Sequence, residues 1–179
     1  MFFPLLTNDE IFLLNLVNFT KRNNMKTKLN IGEKAPDFKG IDQDGLSITL
    51  SDFKDKSLAL YFYPKDNTPG CTAEACSIRD GYEDLQKLGM EVVGVSPDSA
   101  KSHQSFIQKY SLPFRLIADT EKEVANAFGV WGEKKMYGKA YMGILRTTFI
   151  IDKNGIITHI FDKVDTKEHV TQILTELKK

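Results

Sequence analysis

The chain has 179 residues, 41% hydrophobic and 27% charged, a balance that suits one globular domain rather than a disordered segment. Lysine plus arginine and aspartate plus glutamate each number 24, so no net charge drives the chain onto a nucleic-acid backbone. Two cysteines are too few for a secreted disulfide scaffold, and in a reducing compartment such a pair is either buried filler or redox chemistry.

Residues 1–24 stand apart from the rest of the chain. Their apolar run, 11–19, is broken by Asn15 and Asn18 and falls well short of the ~20 apolar residues of a spanning helix. Asp9 and Glu10 precede it, Lys21 and Arg22 come after it, and no small-residue cleavage site appears, so it makes a poor secretory signal. The expectation is a disordered or loosely attached extension, upstream of a start at Met25, with no stable membrane association. One domain is then expected over 25–179, in the cytoplasm.

Ala35-Pro36-Asp37-Phe38 opens the ordered region, and Asp44-Gly45 predicts a turn between two short strands, the second over 46–50. Residues 57–63 (SLALYFY) form a continuous apolar run, the pattern of a central strand buried on both faces. Pro64 ends that strand and 65–68 make a loop. Thr68 then suits an N-cap, with Pro69 at the first helical position, where a missing N–H costs nothing. The helix is predicted to reach about residue 88, with Leu85 and Leu88 on its apolar stripe and Gly89 ending it.

Further strands are predicted over 90–95 and 114–117, and helices over 99–110 and 121–128. Trp131 and Tyr137 fall in a Gly-rich loop, either bordering a pocket or simply anchoring the loop. Strands over 146–152 and 156–161 flank Asn154-Gly155, a strong hairpin signal, and a last helix covers 166–177. Alternating strands and helices, then a hairpin and a helix, define an α/β fold with a mixed central sheet flanked by helices and an N-terminal hairpin. The order is that of the thioredoxin fold with an insertion.

On this frame Cys71 is the third residue of a helix that starts beyond the carboxyl end of a buried strand, where open α/β sheets place ligand sites. Orphan N–H groups and the helix dipole there favour a thiolate, the reactive form of cysteine. The Thr68 hydroxyl is expected to accept the Cys71 N–H. A Thr-Pro-Gly helix start alone would mean simple capping, and the cysteine is what points to function.

Cys76 lies five residues further on. In an ideal helix the two α-carbons would be roughly 8.6 Å apart. A disulfide needs them within about 7 Å. If the two react, the first turns of the helix must open, roughly between Thr68 and Arg79. Otherwise they are unconnected thiols.

The segment from Pro64 through Lys, Asp and Asn to Thr68, Pro, Gly and Cys71 fits PxxxTxxC and resembles the peroxiredoxin active-site pattern. The longer YPKDNTPGCTAEAC, with its second cysteine, is similar to the bacterioferritin comigratory protein or peroxiredoxin Q branch, as is GVWGEKKMYGKAYMGILRTTFIID over 129–152. The resemblance runs from about Leu29 to the C-terminus. It implies a peroxidase acting on hydrogen peroxide and alkyl hydroperoxides, with thioredoxin as reductant and no metal or organic cofactor. Cys71 matches the peroxidatic nucleophile and Cys76 the resolving cysteine. Thr68 matches the threonine that hydrogen-bonds the peroxide and thiolate. Arg146 matches the arginine that stabilises the thiolate and the polarised oxygens. Pro64 matches the shielding proline, and Glu74 a glutamate of the supporting polar network.

A thioredoxin-like thiol–disulfide oxidoreductase is the alternative, but it would want Cys-x-x-Cys. A metal chaperone or a non-catalytic binding domain on the same fold is a third reading. His103, His159 and His169 are scattered, form no metal spacing with the cysteines, and are expected to be surface or packing residues. Lys134, Lys135 and Lys139 are expected on a solvated face. No late cysteine of the kind that resolves across a dimer is present, which favours a monomer, although a dimer is compatible.

Overall fold

The computed structural model describes residues 27–136 and 138–179; the expected N-terminal extension and Tyr137 lie outside them. The Asp44-Gly45 turn forms as expected. Gly45 takes φ +79°, and Asp42 Oδ1 accepts the N–H groups of Asp44 and Leu46. It joins β1 (Lys39–Ile41) to β2 (Ser47–Thr49) as an antiparallel hairpin. The second strand is shorter than predicted because Leu50–Phe53 coils into a 3-10 turn.

A five-stranded mixed sheet forms the centre. Its spatial order is β5 (Arg115–Ala118), β4 (Met90–Ser96), β3 (Ser57–Phe62), β8 (Thr147–Ile151) and β9 (Ile157–Phe161). The first three strands are parallel; β8 runs antiparallel to β3, and β9 antiparallel to β8. The parallel pairs need crossovers. These are α1 (Pro69–Asp80) with α2 (Tyr82–Lys87), then α3 (Ala100–Tyr110). A short α4 (Glu123–Ala127) comes after β5, and α5 (His169–Glu176) after β9.

The run SLALYFY lacks alternation because both faces of β3 are covered. Leu58, Leu60 and Phe62 enter one core with Phe38, Ile117, Phe128 and Phe149. Ala59, Tyr61 and Tyr63 enter the other with Ala75, Ile78, Phe106 and Ile173. Each large apolar side chain among them contributes about 1.5–3 kcal/mol on burial.

Two elements differ from the prediction. The helix expected to reach residue 88 breaks at Gly81 into α1 and α2. Val170 of α5 seats against Gly81, where any Cβ would overlap it. The supposed Gly-rich loop is a hairpin of β6 (Trp131–Met136) and β7 (Lys139–Ile144), with Gly138 at φ +78°. Most of β7 is exposed, so no buried face imprinted an apolar alternation on its sequence.

Candidate active site

The C-terminal end of β3 delivers Tyr63 and a half-buried Pro64 to the loop that enters α1. Asp66 pins that loop. Its carboxylate accepts Tyr63 Oη at 2.7 Å, Ser102 Oγ at 2.7 Å and His103 Nδ1 at 2.8 Å. Its backbone N–H donates to Asp98 Oδ2 at 2.8 Å. His103 Nε2 faces the Ile117 carbonyl at 3.1 Å, so each ring nitrogen faces an acceptor. Burial alone would push the Asp66 carboxyl up; the bonds from His103, Ser102 and Tyr63 outweigh it and hold the group below its ordinary value.

Thr68 is the N-cap residue, with extended backbone, and Pro69 occupies the first turn. Its hydroxyl does not cap, contrary to expectation. Thr68 Oγ1 donates back to the Lys65 carbonyl at 3.0 Å. The tight 65–68 turn draws the hydroxyl away from the helix, and only the Thr68 carbonyl joins it, accepting the Thr72 N–H. Helix geometry leaves the N–H groups of Gly70 and Cys71 without intrahelical partners.

Cys71 is the third helical residue and is 1% exposed. Arg146 reaches it from across the sheet. Phe62 pairs with Thr147, so Arg146 lies just beyond the C-terminal end of β3, beside the start of α1. Its Nη2 stands 3.2 Å from Cys71 Sγ, and its Nη1 donates to Glu74 Oε2. Glu74 is three residues after Cys71, hence on the same helical face. One guanidinium therefore bridges the sulfur and the carboxylate. Burial opposes the charge on Arg146, but Glu74 and Cys71 outweigh it and raise its pKa. Burial pushes Glu74 up to about 7, against the pull of Arg146.

Cys76 lies further along α1, half-buried, and both cysteines are free thiols. The six residues singled out from the sequence therefore fall on the β3–α1 junction, on α1 itself and at the entry to β8. Three participants carried no local signal. His169 is fully buried, with Nε2 4.0 Å from Glu74 Oε1. Tyr61 projects from β3 with its hydroxyl buried; burial, then Glu74, Asp66 and Cys71, push its pKa well above the ordinary range. Lys134 is not on a solvated face. It donates to the Ile144 carbonyl at 3.0 Å, and burial, then Arg146, lower its pKa while Cys71 pulls the other way. Pairing of β6 with β7 folds it inward, which a loop would not. His103 and His169 are buried, each within a polar network, and His159 is half-buried.

Among the described residues no group of three or more His, Cys, Asp or Glu could hold a metal, and no helix is long and apolar enough to cross a membrane.

A thioredoxin-like sheet with a buried thiol at a helix start, bridged by arginine to a carboxylate, defines a thiol-based redox protein. The chain belongs to the AhpC/TSA family, whose model matches residues 31–160. It is 49% identical to peroxiredoxin Bcp of Bacillus subtilis over 150 residues, covering 84% of this chain and 96% of that one. Identity to peroxiredoxin Bcp of Escherichia coli K12 is 44%, with the same coverage. Among solved structures, a Xylella fastidiosa PrxQ mutant superposes with a TM-score of 0.80 at 34% identity, covering 86% of this chain and 98% of that one. The Xanthomonas campestris bacterioferritin comigratory protein, studied for its alkyl peroxide reduction activity, gives 0.76 at 35% identity over 86% of this chain and 98% of that one.

Proposed function

We propose a division of labour among the site residues of this chain, a thiol peroxidase that needs a peroxide and a reductant. Cys71 is the nucleophile. Its thiolate attacks one oxygen of hydrogen peroxide or an alkyl hydroperoxide. The S–O bond forms as the O–O bond breaks, leaving Cys71 as a sulfenic acid and an alkoxide or hydroxide that takes a proton. Sulfur loses the two electrons that the peroxide gains. Arg146 and the N–H groups of Gly70 and Cys71 stabilise the charge that grows on the departing oxygen. The Thr68 hydroxyl, with its hydrogen committed to Lys65, offers lone pairs to the peroxide O–H. Pro64 shields the sulfur, and Glu74 orients Arg146.

Cys76 then attacks the sulfenic sulfur, water leaves, and a Cys71–Cys76 disulfide forms. Because both lie on α1, its first turns open in each cycle. A thioredoxin-type dithiol returns two electrons and two protons. The proposed setting is the cytoplasm, where thiols are kept reduced. The working unit is a monomer, with the catalytic domain over 25–179 and residues 1–24 an extension outside it.

The observation that carries this reading is the Arg146 bridge between Cys71 Sγ and Glu74. The test is peroxide consumption with a thioredoxin system in the wild type and Cys71→Ser, beside insulin reduction without peroxide. Turnover lost in the variant supports the reading. Undiminished turnover, or rapid insulin reduction with no peroxide consumption, overturns it.

A further inference from the structure

Glu74 Oε1 is buried and makes no hydrogen bond, although Oε2 is held by Arg146. Such an orphaned oxygen costs about 1–3 kcal/mol or more unless something compensates. The group facing it is His169 Nε2, at 4.0 Å.

The protonation pattern of His169 is set by its partners. Its Nδ1 lies 2.9 Å from Gln172 Oε1. That amide is oriented by two further bonds: Gln172 Nε2 donates to the Lys163 carbonyl, and Oε1 accepts the Asp165 N–H. Oε1 is therefore an acceptor, and Nδ1 must carry the hydrogen. In the neutral ring Nε2 then presents a single lone pair, which accepts the Thr148 hydroxyl at 2.8 Å, while Glu74 Oε1 stands 4.0 Å away without a hydrogen bond.

We propose that His169 is a positioning residue of the peroxidatic site: when Glu74 takes up a hydrogen on Oε1, the 4.0 Å gap closes and that hydrogen displaces the Thr148 hydroxyl from the Nε2 lone pair, so that Arg146 gives its whole charge to Cys71. With Glu74 ionised, two anions divide the guanidinium. With Glu74 protonated towards His169, the sulfur and the incoming peroxide have it alone. The inference rests on the peroxidase reading and assigns a residue that the active-site motif does not contain.

The groups that bear on this proton come from four places. Arg146 precedes β8, Tyr61 lies on β3, Cys71 shares α1, and Asp165 lies in the loop before α5. Burial, aided by Arg146, lowers His169 to about 4 against Gln172 and Asp165, so the ring is neutral at pH 7 while Glu74 titrates at about 7.

The test is the pH dependence of Cys71 modification in a Cys76→Ser background, read with both hydrogen peroxide and iodoacetamide. The wild-type profile should carry an inflection near pH 7. His169→Phe keeps a ring but removes the acceptor, and should move that inflection down by about one unit. Thr148→Val removes the competing donor to Nε2, and should move it up by about half a unit. A purely structural role would lower thermal stability in both variants and leave the inflection in place. An unmoved inflection, or a shift in the same direction in both, overturns the proposal. If His169→Phe does not fold, Thr148→Val decides alone. Failure of the peroxidase reading would abolish the peroxide reaction in the parent protein while the iodoacetamide profile still reports on His169.

Discussion

Two buried histidine–carboxylate pairs lie on the two sides of the segment that carries Cys71, and they differ in one respect. In the Asp66–His103 pair every strong group is satisfied: three donors converge on the carboxylate, and both ring nitrogens reach acceptors. In the Glu74–His169 pair one carboxylate oxygen has no partner, and the other shares its arginine with Cys71. A saturated network has one low-energy arrangement and behaves as scaffold. A network with a spare lone pair and a shared cation can relocate charge. The difference separates the residues that hold the entry loop from those that respond when the sulfur changes state.

The largest expected effect is at the sulfur. Cys71→Ser should reduce peroxide turnover to background, whereas Cys76→Ser should keep the first oxidation of Cys71 and lose recycling by thioredoxin; stopped-flow and steady-state assays separate the two. Arg146→Met should come next, lowering the rate of Cys71 oxidation by about a hundredfold or more, as removal of a charge-stabilising donor does elsewhere. Were that loss small, the bridge would be a fold contact, and the contrast between the two pairs would collapse.

Asp66→Asn tests the scaffold side. It replaces one acceptor oxygen with an NH2 group among the Tyr63, Ser102 and His103 donors, and should cost about 1–3 kcal/mol of unfolding free energy in urea titration, with activity per folded molecule largely kept. A rate loss larger than the folded fraction explains would move this pair into the catalytic machinery.

Glu74→Gln gives the subtlest readout, because the two groups titrate in opposing senses. Glu74, raised from 4.5 to about 7, contributes stability that is full below pH 4.5 and lost as pH rises through 7. His169, lowered from 6.5 to about 4, contributes stability that is full above pH 6.5 and lost as pH falls through 4. Between pH 4.5 and 6.5 the slopes oppose in the wild type. In Glu74→Gln the His169 slope should stand alone, with stability climbing by about 3 kcal/mol from pH 4 to 6.5 in denaturant titrations. An equally flat profile in the variant would show that the pair does not titrate as described.

Much of this was legible in local sequence. The buried strand, the Thr68-Pro69 helix start and Cys71 in the first turn are short-range signals, and the motif around them drew in Arg146 and Glu74 by resemblance. The β6–β7 hairpin was not legible, since its exposed residues record no buried face. Nor was the break at Gly81, where Val170 of α5 leaves no room for a Cβ. The Thr68 hydroxyl was assigned to the wrong bond because the 65–68 turn competes with the helix for it.

The sequence alone therefore determined the class of fold and the placement of two cysteines along one helix, because strand, cap and helix signals act over a few residues. Only the tertiary structure decided what surrounds the sulfur. β3–β8 pairing brought Arg146 to Cys71, and the docking of α5 on α1 set His169 behind Glu74. Those contacts join residues 75 and more positions apart, where burial and charge compensation rather than local propensity select the partner.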